Sequence, residues 1–126
     1  MIFGIGTDIV SYQRISDLKE KYGDRFAQRI LSTSELEEYA TSNDRARYLM
    51  KHFAAKEAFA KAMGTGLRAG VTLRRISIGH DERGKPLLAF DDVLSNYVAR
   101  LGITRHHVSI SDEKDVAVAF VVLERD

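Results

Sequence analysis

Two carboxylates and a lysine are the residues whose types and positions could do chemistry, and one of the carboxylates interrupts an apolar pattern. Glu57 lies in the stretch Phe53–Gly66, whose apolar residues recur at helical spacing, and it falls near the middle of the apolar face. A lone carboxylate on such a face is costly unless another group compensates its charge. Glu57 is therefore half of a buried ion pair, with Lys61 one turn later as its partner, or a capping residue, or a ligand for a cation or a substrate.

The second carboxylate, Asp8, lies in the N-terminal stretch Ile2–Val10. Alternate residues of a strand share one face, so Asp8 would share its face with Gly4 and Gly6, which add almost no side-chain bulk. Such a face allows a helix or a ligand to approach closely. Asp8 is thus either a turn-forming residue at a strand end or a second acidic group beside free space.

Two weaker patterns could also bind a substrate. The backbone N–H groups of Gly64, Thr65 and Gly66, directly after the predicted helix, could contact a phosphate, although glycine after a helix usually only ends it. His107 and Ser109 alternate on one face of a predicted strand. A polar stripe of this kind is more often a solvated face than a binding site.

The elements that must position these groups are predicted from periodicity and from cap and turn residues. The first half of the chain is predicted to form a strand over Ile2–Val10, a helix capped by Ser11, a helix over Asp24–Leu31, a helix begun by a Ser32/Glu35 capping box, and a long helix from about Asp44 to Met63. Two strands follow, at Thr72–Gly79 and Lys85–Phe90, joined by a turn at Asp81–Gly84. The chain is predicted to end with a helix capped by Asp91 or Asp92 and ended by Gly102, and with strands at His107–Ser111 and Val116–Leu123. Because strands and helices do not alternate regularly, this order predicts an α+β fold.

Composition sets the class of protein. The chain has 126 residues, 44 % of them hydrophobic, which predicts one globular domain over 1–126. A net charge of +1 argues against nucleic-acid and membrane partners, and the lack of cysteine excludes disulfides and thiolate chemistry. We expect a cytoplasmic protein, because no signal-peptide pattern or membrane-length apolar run is present. The final strand is apolar on both faces, so we expect both to be covered.

Four motifs, in order, resemble the short bacterial 4'-phosphopantetheinyl transferases, the holo-[acyl-carrier-protein] synthase family. They are GIGTDIV at the N-terminus, FAAKEAFAKAMGTG in the middle, GKP at Gly84–Pro86 and HVSIS at His107–Ser111, and the resemblance spans nearly the whole chain. It implies an antiparallel sheet packed against a long central helix and shorter helices. It also implies transfer of the phosphopantetheine arm of coenzyme A to a serine of apo acyl carrier protein, for fatty acid biosynthesis, with adenosine 3',5'-bisphosphate as the second product.

The resemblance also implies roles for individual residues. Asp8 and Glu57 match the family's Mg²⁺ ligands, and with Lys61 they form the expected catalytic group. The other expected contacts to coenzyme A are Arg45, His52, Gly64, Thr65, Gly66, His107 and Ser109, with His107 and Ser109 contributed by a neighbouring subunit of a homotrimer. Many relatives have arginine at the position of His52, so a phosphate contact there would be weaker, pH-dependent or lost.

The expected protein partner is an acidic carrier. Arg14 matches a position with which the family holds the carrier, and Arg25 follows in a mixed charge run that would otherwise be a solvated face. Two other hypotheses remain at this stage. One is a carrier-binding module without catalysis, and the other is a structural domain with a buried Glu57–Lys61 pair.

Overall fold

The computed structural model describes residues 1–126, which form five strands, five α-helices and one 3₁₀ turn. In chain order these are β1 (Ile2–Ser11), α1 (Tyr12–Tyr22), α2 (Asp24–Ile30), α3 (Thr33–Ala40), α4 (Arg45–Met63), the 3₁₀ turn (Leu73–Arg75), β2 (Ile76–His80), β3 (Pro86–Phe90), α5 (Asp92–Arg100), β4 (Ile103–Asp112) and β5 (Val116–Arg125). None of the helices is both long enough and apolar enough to cross a bilayer. The α+β prediction is confirmed.

The strands form two antiparallel sheets, a three-stranded sheet in the order β1-β5-β4 and the hairpin β2-β3. The long helix α4 packs on one face of the three-stranded sheet, as the family resemblance implies. Gly4 and Gly6 explain how closely it packs, because a Cβ added to Gly6 would lie 2.6 Å from the backbone nitrogen of Ala62 and would collide with the carbonyl of Ala58. The near-empty face of β1 therefore accommodates a helix.

Local cap signals place most helix ends where the sequence predicts them. The Ser11 and Asp44 side chains accept hydrogen bonds from the third residue beyond each, at 3.1 and 3.0 Å. Gly64 ends α4 with φ 81°, a left-handed conformation that favours glycine. The long helix is therefore confirmed nearly residue for residue.

One predicted strand begins later than expected. The sequence predicts a strand over Thr72–Gly79, but Leu73–Arg75 form a 3₁₀ turn and β2 begins at Ile76. The turn is closed by a hydrogen bond of 3.1 Å from the Arg75 N–H to the Thr72 carbonyl. The Leu73 carbonyl accepts a hydrogen bond from Lys56 on α4. This long-range contact competes with an extended conformation, and no local pattern reveals it.

Helix α4 is buried on almost all sides, which corrects the position predicted for Glu57. Phe59, on the side opposite Glu57, is fully buried, while Phe53, Glu57 and Lys61 form a row one turn apart that is partly or largely exposed. The sheet covers one side of α4, and α1, α2 and α3 cover others. Glu57 therefore lies on a strip between these layers and not in the middle of a buried face.

The outer face of the three-stranded sheet, which points away from α4, is open and apolar. On β5 the inward residues Ala117, Ala119, Val121 and Leu123 are fully buried, whereas Phe120 on the outer face is 44 % exposed. Ile5 and Ile9 on the neighbouring β1 are also exposed. The prediction that both faces of the last strand are covered is therefore wrong for a single chain.

Candidate active site

The fold brings Asp8, Glu57 and Lys61 together. Asp8 lies on the face of β1 that α4 covers, and Lys61 donates hydrogen bonds from its Nζ to Asp8 Oδ1 at 3.1 Å and to the Thr7 carbonyl at 3.0 Å. Lys61 makes no ion pair with Glu57. A buried Glu57–Lys61 pair is therefore wrong, because the lysine bridges from the helix to the strand.

Glu57 is held in an unfavourable environment for an ionised group. Burial raises the pKa of the Glu57 carboxyl, the negative charge of Asp8 raises it further, and the positive charges of Lys61 and Arg14 oppose both effects. The charge of Asp8 thus acts on the Glu57 carboxylate. Such a site favours a cation or a proton, since either relieves the repulsion.

The donor chemistry of this pair fits Mg²⁺. Both residues offer carboxylate oxygens, which Mg²⁺ prefers, and the ion usually takes only one or two protein carboxylates, with water and phosphate completing its coordination. No group of three or more histidine, cysteine, aspartate or glutamate side chains forms a metal cage in the chain. The two carboxylates therefore supply a donor set that suits Mg²⁺.

An apolar groove lies beside this site, between α1, α2 and α4. Its cavity of about 530 Å³ is lined mainly by hydrophobic residues, among them Leu18, Phe26 and Phe53, and Arg25 lies on its wall. Phe53 precedes Glu57 by one turn, and the Arg14 guanidinium lies 5.9 Å from the centre of the Phe53 ring. Of the two predicted carrier-binding arginines, Arg25 thus lines the groove, and Arg14 lies next to its lining residue Phe53.

The Gly64–Gly66 segment follows Lys61 directly, but two of its amides are already used. The Gly64 N–H donates to the Lys61 carbonyl at 3.0 Å and the Gly66 N–H to the Ala60 carbonyl at 3.1 Å, and these bonds end α4. The Thr65 hydroxyl donates to the Gly66 carbonyl. The amides of Gly64 and Gly66 are therefore not free for a phosphate, although the segment borders Lys61.

Arg45 does not lie with this group. It begins α4, 12 residues before Glu57, which separates the two by about 18 Å along the helix axis. Its guanidinium donates to the Ala40 carbonyl at 2.8 Å and lies over the Tyr39 ring. One phosphate cannot contact both Arg45 and Lys61 of the same chain.

His52 packs inside the protein instead of facing a ligand. Its ring stacks on Tyr48, with 3.9 Å between centroids, and its Nε2 is buried and unpaired, 3.6 Å from the Glu35 carboxylate. Burial lowers the pKa of His52, with Glu35 acting in the opposite direction. A phosphate would reach His52 only if this packing opened, which weighs against the predicted contact with coenzyme A.

His107 and Ser109 lie on the outer face of the sheet. Their register opposite Val122 and Phe120 places them on the side away from α4, and hence away from Asp8. His107 Nε2 is 2.6 Å from Glu124 Oε1. Within one chain these residues cannot share a ligand with Asp8, so their predicted role requires a neighbouring copy.

The sequence analysis missed the one fully buried ion pair, between Glu35 and Lys56. Both side chains are at most 1 % exposed, and Glu35 also accepts from the N–H groups of Ser32 and Ile78 at 2.9 Å each. The predicted capping box accounted only for the hydrogen bond between Glu35 and Ser32. A signal existed, because Lys56 follows His52 and precedes Phe59 at helical spacing on a second buried face of α4.

Known proteins match the chain over nearly its full length. The family model of the 4'-phosphopantetheinyl transferase superfamily matches residues 4–121. A holo-[acyl-carrier-protein] synthase from Nitrosospira multiformis is 55 % identical over 99 % of this chain and 100 % of its own length.

Solved structures agree with this match. The crystal structure of the Neisseria meningitidis holo-[acyl-carrier-protein] synthase superposes with a TM-score of 0.97, at 52 % identity, over 99 % of this chain and 100 % of that one. The Bacillus anthracis enzyme in complex with CoA (3',5'-ADP) superposes with a TM-score of 0.84, at 36 % identity, over 100 % of this chain and 99 % of that one. Sequence and fold thus agree, and the chain belongs to the 4'-phosphopantetheinyl transferase superfamily.

Proposed function

We propose that the chain transfers the 4'-phosphopantetheine group of coenzyme A to a serine of apo acyl carrier protein, in support of fatty acid biosynthesis. The observation that carries the proposal is the meeting of Asp8, Glu57 and Lys61, which are far apart in the sequence, at one exposed edge of the helix–sheet packing. The similarity to holo-[acyl-carrier-protein] synthases, including one in complex with coenzyme A (3',5'-ADP), supports the substrate class.

Asp8 and Glu57 would hold a Mg²⁺ ion with their carboxylate oxygens. Bound Mg²⁺ would neutralise charge on the pyrophosphate of coenzyme A and make its phosphorus more electrophilic. Phosphoryl transfer depends mainly on positioning and electrostatic stabilisation, so the protein's task is to hold its charges in place. Lys61 is suited to contact a phosphate, because its side chain is 54 % exposed and hence able to reorient from Asp8.

The groove beside Phe53 would receive the carrier. An acidic helical partner presents apolar side chains and negative charge, and the groove offers an apolar lining with Arg25 on its wall and Arg14 next to Phe53. A carrier docked there would bring its serine towards Glu57, one turn beyond Phe53. Arg14 would thus serve both the carrier surface and the acidic site.

We infer that the active assembly is a homotrimer formed through the outer face of the sheet. An apolar sheet face with Phe120 at its centre is unusual for an isolated chain. The predicted contacts of His107 and Ser109 with coenzyme A require a second copy, since they face away from Asp8. A second copy of this chain would therefore cover the exposed face and also allow the predicted contacts of His107 and Ser109.

Mass spectrometry of the carrier tests the reaction. The chain is incubated with apo acyl carrier protein, coenzyme A and Mg²⁺, with a parallel sample that contains a chelator. We expect the carrier to gain the mass of one phosphopantetheine group only where the metal is available. Binding of the carrier without any gain in mass would instead support the non-catalytic module.

A further inference from the structure

We propose that Lys56 is a positioning residue that fixes the walls of the carrier groove. The evidence is a branched set of hydrogen bonds: the buried Nζ of Lys56 donates to the Ile30 carbonyl at 2.7 Å, to the Leu73 carbonyl at 3.0 Å and to Glu35 Oε1. Ile30 and Leu73 both line the groove that contains Phe53. One ammonium group thus binds two segments that line the groove, the end of α2 and the 3₁₀ turn, to the helix that carries Glu57.

The three partners of Lys56 lie on three different segments. Ile30 is the last residue of α2, Glu35 lies in the first turn of α3, and Leu73 begins the 3₁₀ turn. The carbonyls in the last turn of a helix have no partner within the helix, so the lysine satisfies a group that would otherwise be unpaired. All three N–H donors of the ammonium are used, which fixes its position in three directions.

A contribution to stability does not by itself explain the buried ion pair between Glu35 and Lys56. A buried ion pair often contributes no more to stability than well-packed apolar residues of the same volume, because both charges lose their hydration. What apolar residues cannot reproduce is the directional hold on two backbone carbonyls. These hydrogen bonds fix residues that line the groove. One of these residues, Leu73, also borders the adjoining cavity with Arg25 and Arg74.

The position of Lys56 also predicts different effects on the binding of the two substrates. Lys56 and Glu57 are neighbours on α4 but point in different directions: Lys56 is fully buried towards α2 and α3, and Glu57 faces the strip beside Asp8. A change at Lys56 should therefore alter the binding of the carrier more than that of coenzyme A. This inference rests on the proposed function, because it concerns the carrier that the groove would receive.

The test is a double variant, Glu35→Gln with Lys56→Met. It removes both buried charges together, so neither is left unpaired, and methionine keeps most of the lysine stem. We expect the KM for the carrier to rise about tenfold with kcat nearly unchanged, the pattern produced by loss of binding that is equal in the ground and transition states. The KM for coenzyme A should stay within about twofold of the wild type.

Hydrogen exchange provides a readout that does not depend on activity. Amides of α2 and of the 3₁₀ turn should lose protection in the double variant, while those of β4 and β5 keep theirs. Val98→Ala in α5 is the matched control, because Val98 is buried far from the groove on a helix that contacts β3 and β4. It should lower the melting temperature without changing either KM.

Three outcomes would overturn the inference: an unchanged KM for the carrier, an equal rise in both KM values, or unchanged protection of α2. If Lys56→Met alone folds, it should raise the carrier KM at least as much as the double variant does. Failure of the wild-type chain to modify the carrier would instead refute the proposed function. The wild-type assay and the comparison of variants therefore test the two claims separately.

Discussion

At the scale of single residues, the candidate site contains one carboxylate, that of Glu57, which forms no ion pair. Lys61 compensates Asp8, while Glu57 has only the more distant positive charges of Lys61 and Arg14. The ionised Glu57 thus destabilises the fold, and a bound cation would reduce this cost. Its unusual position on α4 was visible in the sequence, but its electrostatic partner Asp8 was expected only from the family resemblance, because 48 residues of chain separate the two.

Glu57→Gln should abolish transfer and stabilise the metal-free protein. The folded state raises the pKa of Glu57, so it binds this proton more tightly than the unfolded chain does, and the associated stability is lost as pH rises from 4.5 through the folded-state pKa. At neutral pH the ionised carboxylate therefore destabilises the fold, and glutamine relieves this. We expect a higher melting temperature for the variant in the presence of chelator.

The response of the melting temperature to Mg²⁺ provides a control for Glu57→Gln. Added Mg²⁺ should raise the melting temperature of the wild type and leave that of Glu57→Gln unchanged, since a ligand that binds only the folded state stabilises it. Full transfer activity in Glu57→Gln, or an equal response of both proteins to Mg²⁺, would contradict the assignment of Glu57 as a metal ligand.

His52 should make the protein sensitive to acid. Burial lowers its pKa below the ordinary 6.5, so the unfolded chain takes up a proton first as pH falls, and stability declines below about pH 6.5. His52→Phe keeps a ring on Tyr48 but removes the titrating group, and its melting temperature should fall less steeply below that pH. His80→Gln, at the exposed end of β2, is the control and should follow the wild-type curve. Parallel curves for His52→Phe and the wild type would refute this prediction.

At the scale of elements, local signals predicted what local interactions determine. Ser11, Asp44 and Gly64 set helix ends through bonds to residues within one turn, so the sequence was sufficient there. The start of β2 was mispredicted because the backbone of Leu73 is bound by Lys56, 17 residues earlier. The buried Glu35–Lys56 pair was missed for the same reason, since its partners lie on different helices.

Gly6→Ala tests the packing of α4 on β1. The added Cβ would meet the backbone of Ala58 and Ala62, which cannot move without shifting the helix, so we expect a destabilisation of about 1–3 kcal/mol, typical of an overpacked core. Because this shift would separate Asp8 from Glu57, transfer should also slow. Gly79→Ala is the control, since a Cβ there would meet nothing within 4 Å. Equal stability of the two variants in denaturant titrations would contradict this account.

At the scale of the whole molecule, the most informative feature is the outer face of the sheet. The sequence indicated that the last strand is apolar on both faces, and the single chain covers only one of them. Composition could not specify what covers the other, because a core layer and a subunit interface have the same apolar pattern. Because His107 lies on this face, its predicted contact with coenzyme A depends on how the chains assemble.

Phe120→Arg should separate the subunits. A charge at the centre of this apolar face could not be buried between copies without a large loss of hydration. We expect light scattering to give the mass of three chains for the wild type and of one chain for the variant, with unchanged circular dichroism. Ser95→Arg, at an exposed position on helix α5 and not on the sheet, should remain assembled. A wild type that has the mass of one chain would refute the trimer.

The bond between Lys61 and Asp8 has a consequence for the order in which the substrates assemble. The lysine and an incoming cation compete for the same carboxylate, so occupation by the cation liberates an ammonium group that a phosphate can then attract. By thermodynamic linkage, bound Mg²⁺ should raise the affinity for coenzyme A by the same factor by which bound coenzyme A raises the affinity for Mg²⁺. Calorimetric titrations of Mg²⁺ with and without coenzyme A should therefore reveal positive cooperativity, and Lys61→Met should reduce it.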